Sequence, residues 1–435
     1  MTLADLAMPT LRSSRLDGLP VAIIGAGPIG LAAAAHLHER GIEFVVYEAG
    51  ATVASSLASW GHIKLFSPWE FLIDPAAGRI LEAAGWKAPD ARALPTGAEL
   101  VENYLAPLAA TDAITPHILT GTTVEAVTRE GMDRTRSTGR ESTPFLLRVR
   151  TADGSRSEFL ARAVIDASGT YRTPNSLGSS GLDPLGLPEV ASHITHALPD
   201  VLGAERAQFA GKHTTVVGAG HSAANTLLNL VTLARREPGT RISWLIRNRT
   251  AVRVLGSEDD ELPARASLGA RVRQLAEAGA IDVIDGFEII ALEKDGDRVQ
   301  IVGKRRNGIE RLDTDVIVNA TGFRPDLDLL REIRLDLDDI VEAPRALAPM
   351  IDPNVHSCGT VEPHGFAELQ QPEPNFFIAG MKSYGRAPTF LLATGYEQVR
   401  SITAWLSGDV ASARAVQLTL PATGVCSTGG AGGCC

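Results

Sequence analysis

Apolar residues in this chain fall in short unbroken runs that end at glycine. Val21-Ala22-Ile23-Ile24 runs into Gly25, and Thr214-Thr215-Val216-Val217 into Gly218. Ala163-Val164-Ile165-Asp166-Ala167-Ser168-Gly169 and Asp315-Val316-Ile317-Val318-Asn319-Ala320-Thr321-Gly322 repeat the pattern. Continuous runs of this length, bounded by turn residues, predict strands buried on both faces. After Gly30 the sequence becomes alanine-rich, and after Gly220 it stays apolar, so each of those turns opens a helix. Further strands are predicted at Phe44-Val45-Val46-Tyr47, Ile242-Ser243-Trp244-Leu245-Ile246 and Phe376-Phe377-Ile378. Residues 51–120 read as loop and helix, with Trp60, Phe66, Trp69, Phe71 and Trp86 concentrated there. Residues 121–160 read as strands and hairpins, Gly131 to Ser142 being a polar surface loop, and Tyr396 to Leu406 as a closing helix.

Alternating strands and helices predict an α/β fold with parallel sheets. Two of the turns carry more information. Gly25-Ala26-Gly27-Pro28-Ile29-Gly30 and Gly218-Ala219-Gly220-His221-Ser222-Ala223 share the Gly-x-Gly-x-x-Gly/Ala spacing. Each follows a buried strand and opens a helix, the context in which this motif holds a dinucleotide. The first glycine makes the tight turn, the second lets backbone approach the pyrophosphate, and the third residue lets helix and strand pack closely. The pyrophosphate then meets the free N–H groups of the helix N-terminus. Two such sites in one chain most simply hold two dinucleotides, with electron transfer between them.

The residue ending the second strand of each unit separates the two cofactors. Glu48 lies 18 residues after Gly30, where a carboxylate accepts hydrogen bonds from ribose hydroxyls and repels a 2′-phosphate. Arg247 and Arg249, after the strand ending at Ile246, fit a 2′-phosphate by bidentate pairing. The assignment is FAD first and NADPH second, with NADH left open. The strand-to-turn positions Ser168, Gly169, Thr321, Gly322 and Gly380 join the candidate cofactor contacts. The expected organisation is an FAD-binding Rossmann-like domain, residues 20–175 and 316–415, with an NAD(P)-binding Rossmann-like domain, residues 176–315, inserted into it. Residues 1–19 read as a flexible arm and 416–435 as a flexible cysteine-containing tail.

Composition narrows the class. Among 435 residues, 44% are hydrophobic and 21% charged, the balance of an ordinary soluble globular protein, and the expected location is the cytoplasm. A net charge of −10 argues against nucleic acid or an anionic membrane as partner. No stretch approaches the roughly 20 apolar residues of a membrane span, and residues 1–20 lack a signal-peptide core. Glu258-Asp259-Asp260-Glu261 reads as a solvated loop. The partners expected are a small-molecule substrate and O2; a homodimer is compatible with the sequence, which leaves oligomeric state open.

Several motifs carry a family resemblance. Phe209-Ala210-Gly211-Lys212, Asn319-Ala320-Thr321-Gly322-Phe323-Arg324-Pro325-Asp326, and Asp166-Ala167-Ser168-Gly169-Thr170-Tyr171 with Pro174-Asn175 resemble segments of the two-dinucleotide-binding flavoproteins, specifically the class B flavin-dependent monooxygenases. Phe66-Ser67-Pro68-Trp69, Ile73-Asp74-Pro75, Leu94-Pro95-Thr96-Gly97 and Gly395-Tyr396-Glu397-Gln398 resemble bacterial flavoproteins found beside arsenic-resistance genes. The resemblance implies hydride transfer from NADPH to FAD, O2 activation, and oxygen transfer to a small soft nucleophile such as an arsenical. It also implies catalytic candidates: Ser67 as a donor beside the flavin, and His193 and His196 to orient nicotinamide or substrate. A helix N-terminus at Thr394 and Gly395 would face the flavin. One departure is plain: the His193–Asp200 stretch lacks the aromatic residue that follows a histidine in the monooxygenases.

Cysteines add an alternative. Of the 4 in the chain, Cys426, Cys434 and Cys435 lie in the last ten residues, and Cys358 beside His356 reads as structural. The tail beyond Pro421 could extend about 45 Å, and thiolates on such an arm suit a soft metal or metalloid. Leu420-Pro421-Ala422-Thr423-Gly424 resembles a sortase signal but lacks the apolar tail that would follow it. No Cys-x-x-Cys occurs, which argues against the disulfide-reductase subclass. Three readings therefore remain: a monooxygenase, an NADPH-dependent reductase working through the terminal thiols, and a redox-sensing flavoprotein without rapid turnover.

Overall fold

The structure, a computed structural model, describes residues 15–248, 263–306, 308–352, 361–387 and 390–418. Two parallel five-stranded sheets organise it. The first has the strand order Phe376–Ile378, Ala163–Asp166, Val21–Ile24, Phe44–Tyr47, Ile118–Leu119. Val21, Ile23, Val46 and Ile165 are fully buried, as expected of strands covered on both faces. The chain winds outward in opposite directions from Val21–Ile24, so the crevice at the carboxyl ends of Val21–Ile24 and Ala163–Asp166 is a topological switch point, where open α/β sheets take ligands. Helix Pro28–Glu39 packs on this sheet and on helix Leu392–Leu406. Its Ala32 to Ala35 are buried all round, and their single methyl groups permit a close approach to both neighbours.

The second sheet has the order Asp282–Ile284, Arg241–Leu245, His213–Val217, Val316–Asn319, Ile194–Thr195. Here two expectations need correction. Val316–Asn319, assigned from sequence to the first domain, pairs in parallel with His213–Val217, with Val316 opposite Thr214. A buried run ending in a glycine turn is the same local signal in either sheet, and nothing local specifies the partner. The closing helix also starts earlier than expected, at Leu392 instead of Tyr396.

Each parallel sheet carries a three-stranded antiparallel companion: Thr122–Arg129, Phe145–Thr151 and Arg156–Ala161 in one, Phe287–Asp295, Arg298–Arg305 and Gly308–Thr314 in the other. The polar excursion at Gly131 to Ser142 is mostly exposed, yet its end is fixed. Arg129 and Arg140 converge on the buried Glu373 at 2.7 and 2.8 Å. Burial pushes the Glu373 carboxyl upward, but the two guanidinium groups outweigh it and hold it below its ordinary range. Among the described residues no helix is long and apolar enough to cross a membrane.

Candidate active site

The first glycine turn is dictated by contact as well as by conformation. Gly25 adopts φ +99°, and a Cβ there would lie 2.8 Å from the Ala167 carbonyl oxygen. A Cβ on Gly30 would lie 1.9 Å from the Gly25 carbonyl, so only glycine lets the helix start this close to the strand. At Gly27, by contrast, a Cβ would meet nothing within 4 Å. The turn is thus packed behind and open in front, as a pyrophosphate cradle requires. Pro28 occupies the first helical turn, where its missing N–H costs no hydrogen bond. The Ile29 side chain packs behind the turn, where a Cβ on either Gly380 or Gly395 would run into it.

Glu48 is buried at the end of the second strand. Its carboxylate accepts from Ala26 N at 2.8 Å, Gly50 N at 2.7 Å and Ser55 Oγ at 2.9 Å. It therefore ties the glycine loop to the end of the neighbouring strand, beside the cradle where a ribose would be read. Ser168 lies in the turn after Ala163–Asp166, with its N and Oγ both donating to Asp166 Oδ1. Gly169 follows at φ +71°. Gly380, at φ +70°, donates its N–H to Gln398 Oε1 at 2.8 Å. Gln398 Nε2 in turn donates to Ser383 Oγ and to His364 Nε2, both at 2.9 Å.

One buried pair escaped the sequence reading. Lys382 Nζ donates to Asp166 Oδ2 at 2.6 Å and to Ser168 Oγ at 3.1 Å, and both charged side chains are 0% exposed. The five other described lysines are exposed. A lone lysine in a glycine-rich turn gives no sequence signal of burial.

The second turn repeats the first. Gly218 has φ +132° and a Cβ would fall 2.1 Å from the Ala320 carbonyl, whereas Gly220 faces open space. Ala223 takes the third position fully buried, so this helix accommodates the extra methyl. Helix His221–Ala234 begins at His221 and Ser222, directly after the turn. The Phe66 ring stands edge-on to the His221 ring, with centroids 5.6 Å apart. Trp60, Ile63 and Phe66, all from the first domain, pack against the second domain's core. Arg247 stays exposed and donates to the Ser179 carbonyl at 3.1 Å. Arg249 lies outside the described residues.

The two crossovers between the sheets are bonded to each other. Asn175 N donates to Gly322 O at 2.9 Å, Asn175 Nδ2 to Thr321 O at 3.2 Å, and Thr321 Oγ1 back to Asn175 O at 3.0 Å. Arg324 N donates to Thr173 O at 3.0 Å, and the Tyr171 and Phe323 rings lie 5.2 Å apart. Both connections thus form one short paired ribbon between the two glycine turns.

The catalytic candidates are scattered. Ser67 is half-buried next to Phe66, on the segment that reaches the second turn. His196 follows the edge strand on the carboxyl side and pairs with Glu205 at 3.3 Å. His193 lies elsewhere: its Nδ1 is 3.0 Å from the Asp315 carbonyl, at the amino ends of the strands. The length of His213–Val217, about 13 Å, separates it from the second glycine turn, so it and His196, both expected to orient nicotinamide or substrate, lie at opposite ends of the sheet. Cys426, Cys434, Cys435 and Cys358 lie outside the described residues. Among those described, no group of three or more His, Cys, Asp or Glu side chains is placed to hold a metal.

A profile of the pyridine nucleotide-disulphide oxidoreductases matches residues 22–347. The chain belongs to that family. The two cradles described above fit the two dinucleotides that such a framework holds. This chain has no Cys-x-x-Cys pair. Indole-3-pyruvate monooxygenase YUCCA6 of Arabidopsis thaliana is 31% identical over 241 residues, covering 54% of this chain and 49% of that protein. The chain thus spans about half the length of that relative. A ferredoxin–NADP reductase of Thermus thermophilus is 26% identical over 350 residues, covering 79% of this chain and 85% of that protein. In fold, the bacillithiol disulfide reductase of Bacillus cereus superposes with a TM-score of 0.67 at 19% identity, covering 90% of this chain and 99% of that one.

Proposed function

We propose that this protein is an NADPH-dependent flavin monooxygenase that transfers oxygen to a small, soft nucleophile, an arsenical being the first candidate. The observation that carries the reading is the contact of Phe66 with His221. It brings the flavin domain's own segment to the mouth of the second cradle, where two dinucleotides can exchange a hydride. Bound FAD supplies the redox chemistry, taking hydride from NADPH and activating O2. The chain's residues bind, orient and exclude water. Gly27 and Gly220 open the pyrophosphate cradles, Glu48 reads the FAD ribose, and Arg247 reads the 2′-phosphate. On this reading Ser67 donates a hydrogen bond near the reacting atoms, and His196 positions nicotinamide or substrate. The similarity to YUCCA6 and the Asn319–Asp326 motif support oxygen as the electron acceptor.

The second reading, a reductase, is favoured by the longer alignment with a ferredoxin–NADP reductase and by the three terminal thiols. Coupled measurement of NADPH and O2 consumption separates the two. With arsenite or an organoarsenical, the monooxygenase consumes one O2 per NADPH without releasing peroxide, and survives removal of Cys434 and Cys435. Anaerobic NADPH loss driven by a metalloid or disulfide, and abolished by that truncation, would establish the reductase instead.

A further inference from the structure

The first glycine turn is flanked by two segments from elsewhere in the chain, and one side chain joins them. On one side, Ala54 N donates to Ala26 O at 2.9 Å, which seats Ser55 beside the turn. On the other, a Cβ on Gly25 would lie 3.0 Å from Ser168 Cα, so the loop that runs on to Arg172 abuts the turn as well. Arg172 Nη2 donates to Ser55 Oγ at 3.2 Å, and Ser55 Oγ donates in turn to Glu48 Oε1 at 2.9 Å. The Arg172 guanidinium is exposed and reaches from the second segment to the first.

Charge explains why a cation belongs at this place. A pyrophosphate is an anion, and Glu48 already sets a buried carboxylate beside the turn. The helix N-terminus offers only partial positive charge in return. Residues 25–30, 48–55 and 168–172, which surround the turn, include one basic residue, Arg172. Lys382 lies behind Ser168, but it is fully buried against Asp166. A guanidinium carries five N–H donors in a fork that matches two phosphate oxygens. In Arg172 one of them meets a neutral hydroxyl, and the exposed fork faces water that a phosphate can displace. We propose that Arg172 closes the first cradle over the FAD pyrophosphate, and that Ser55 couples this contact to Glu48 at the ribose. The inference rests on the assignment of FAD to this turn and does not depend on which electron acceptor the enzyme uses.

The test uses the full-length chain. Arg172→Gln removes charge and fork at an exposed position, so the flavin-free variant should melt where flavin-free wild type does. Its FAD dissociation constant should rise about tenfold, the scale of one lost hydrogen bond to a charged group. Added salt should weaken FAD binding more in wild type than in the variant, because exposed charge contacts are screened. Calorimetry on the flavin-free proteins identifies the part of FAD that is held. ADP should lose affinity by the same factor as FAD, whereas adenosine, which has the ribose but no phosphate, should bind both proteins equally. Arg172→Lys, which keeps the charge without the fork, should fall between. A variant that binds FAD and ADP as wild type does would overturn the proposal. Equal losses for ADP and adenosine would overturn it too, by making Arg172 a support for the ribose site alone. Wild-type protein that binds neither FAD nor ADP would overturn the FAD assignment itself, and the inference with it.

Discussion

Asn175 and Thr321 bind each other reciprocally: the Asn175 amide donates to the Thr321 carbonyl at 3.2 Å, and the Thr321 hydroxyl donates to the Asn175 carbonyl at 3.0 Å. One residue sits on each crossover, so the pair couples the two connections on which any relative motion of the sheets must turn. Asn175→Ala and Thr321→Val should each cost about 1 kcal/mol of stability. Both should slow flavin reduction by NADPH in stopped-flow, because domain movements set rates in such enzymes. Unchanged reduction rates in both variants would show that the ribbon is a passive linker.

Gly30 offers a sharper steric test. A methyl there would enter the Gly25 carbonyl, whereas Ala223 already carries one at the matching position of the second turn. Gly30→Ala should destabilise by about 1–3 kcal/mol through overpacking and should yield protein purified without flavin. Ala223→Gly should leave flavin content as it is. Equal flavin in both would mean that the first turn does not hold FAD.

Arg247 tests the choice of nicotinamide. One N–H is committed to Ser179, which leaves the rest of an exposed guanidinium for a 2′-phosphate. Arg247→Ala should raise the KM for NADPH about tenfold, as for a lost charge-assisted contact, and leave the KM for NADH alone. A parallel rise for both nucleotides would remove the phosphate role.

His364 makes the flavin site acid-sensitive. Its Nδ1 faces the Glu362 carbonyl at 3.0 Å, so Nδ1 carries the proton and Nε2 accepts from Gln398. Burial lowers its pKa below the ordinary value. The unfolded chain therefore takes up the proton more readily than the folded one. The contribution to stability is complete above about pH 6.5 and is lost as pH falls through the folded value. Protonated Nε2 would face the Gln398 amide donor and release the Gly380 turn. Thermal stability and bound FAD should fall together in mild acid, and His364→Gln should flatten the FAD loss. His213, also lowered by burial, lies in the second sheet and should affect stability without affecting FAD.

Much of this was legible because the motifs are local. The Gly25–Gly30 and Gly218–Ala223 turns declare themselves through spacing, flanking strands and the helix behind them. Glu48 stands out by its spacing of 18 residues from Gly30. What remained hidden depended on long-range partners. Val316–Asn319 carries the same pattern as Ala163–Asp166, and only pairing assigns it to the second sheet. Lys382 meets Asp166 across 216 residues, and Arg140 meets Glu373 across 233, separations that no periodicity reports. His193 looked apt beside a motif but faces the wrong end of its strands, because sequence order does not give direction within a sheet.

The proposed function has hydride pass from the second cradle to the first. Its most direct test is anaerobic mixing of the FAD-loaded protein with NADPH while the yellow flavin absorbance is followed. Hydride transfer between the cradles predicts complete bleaching by one NADPH per flavin, faster than with NADH. A flavin that stays oxidised with NADPH, but is bleached by dithionite, would contradict it.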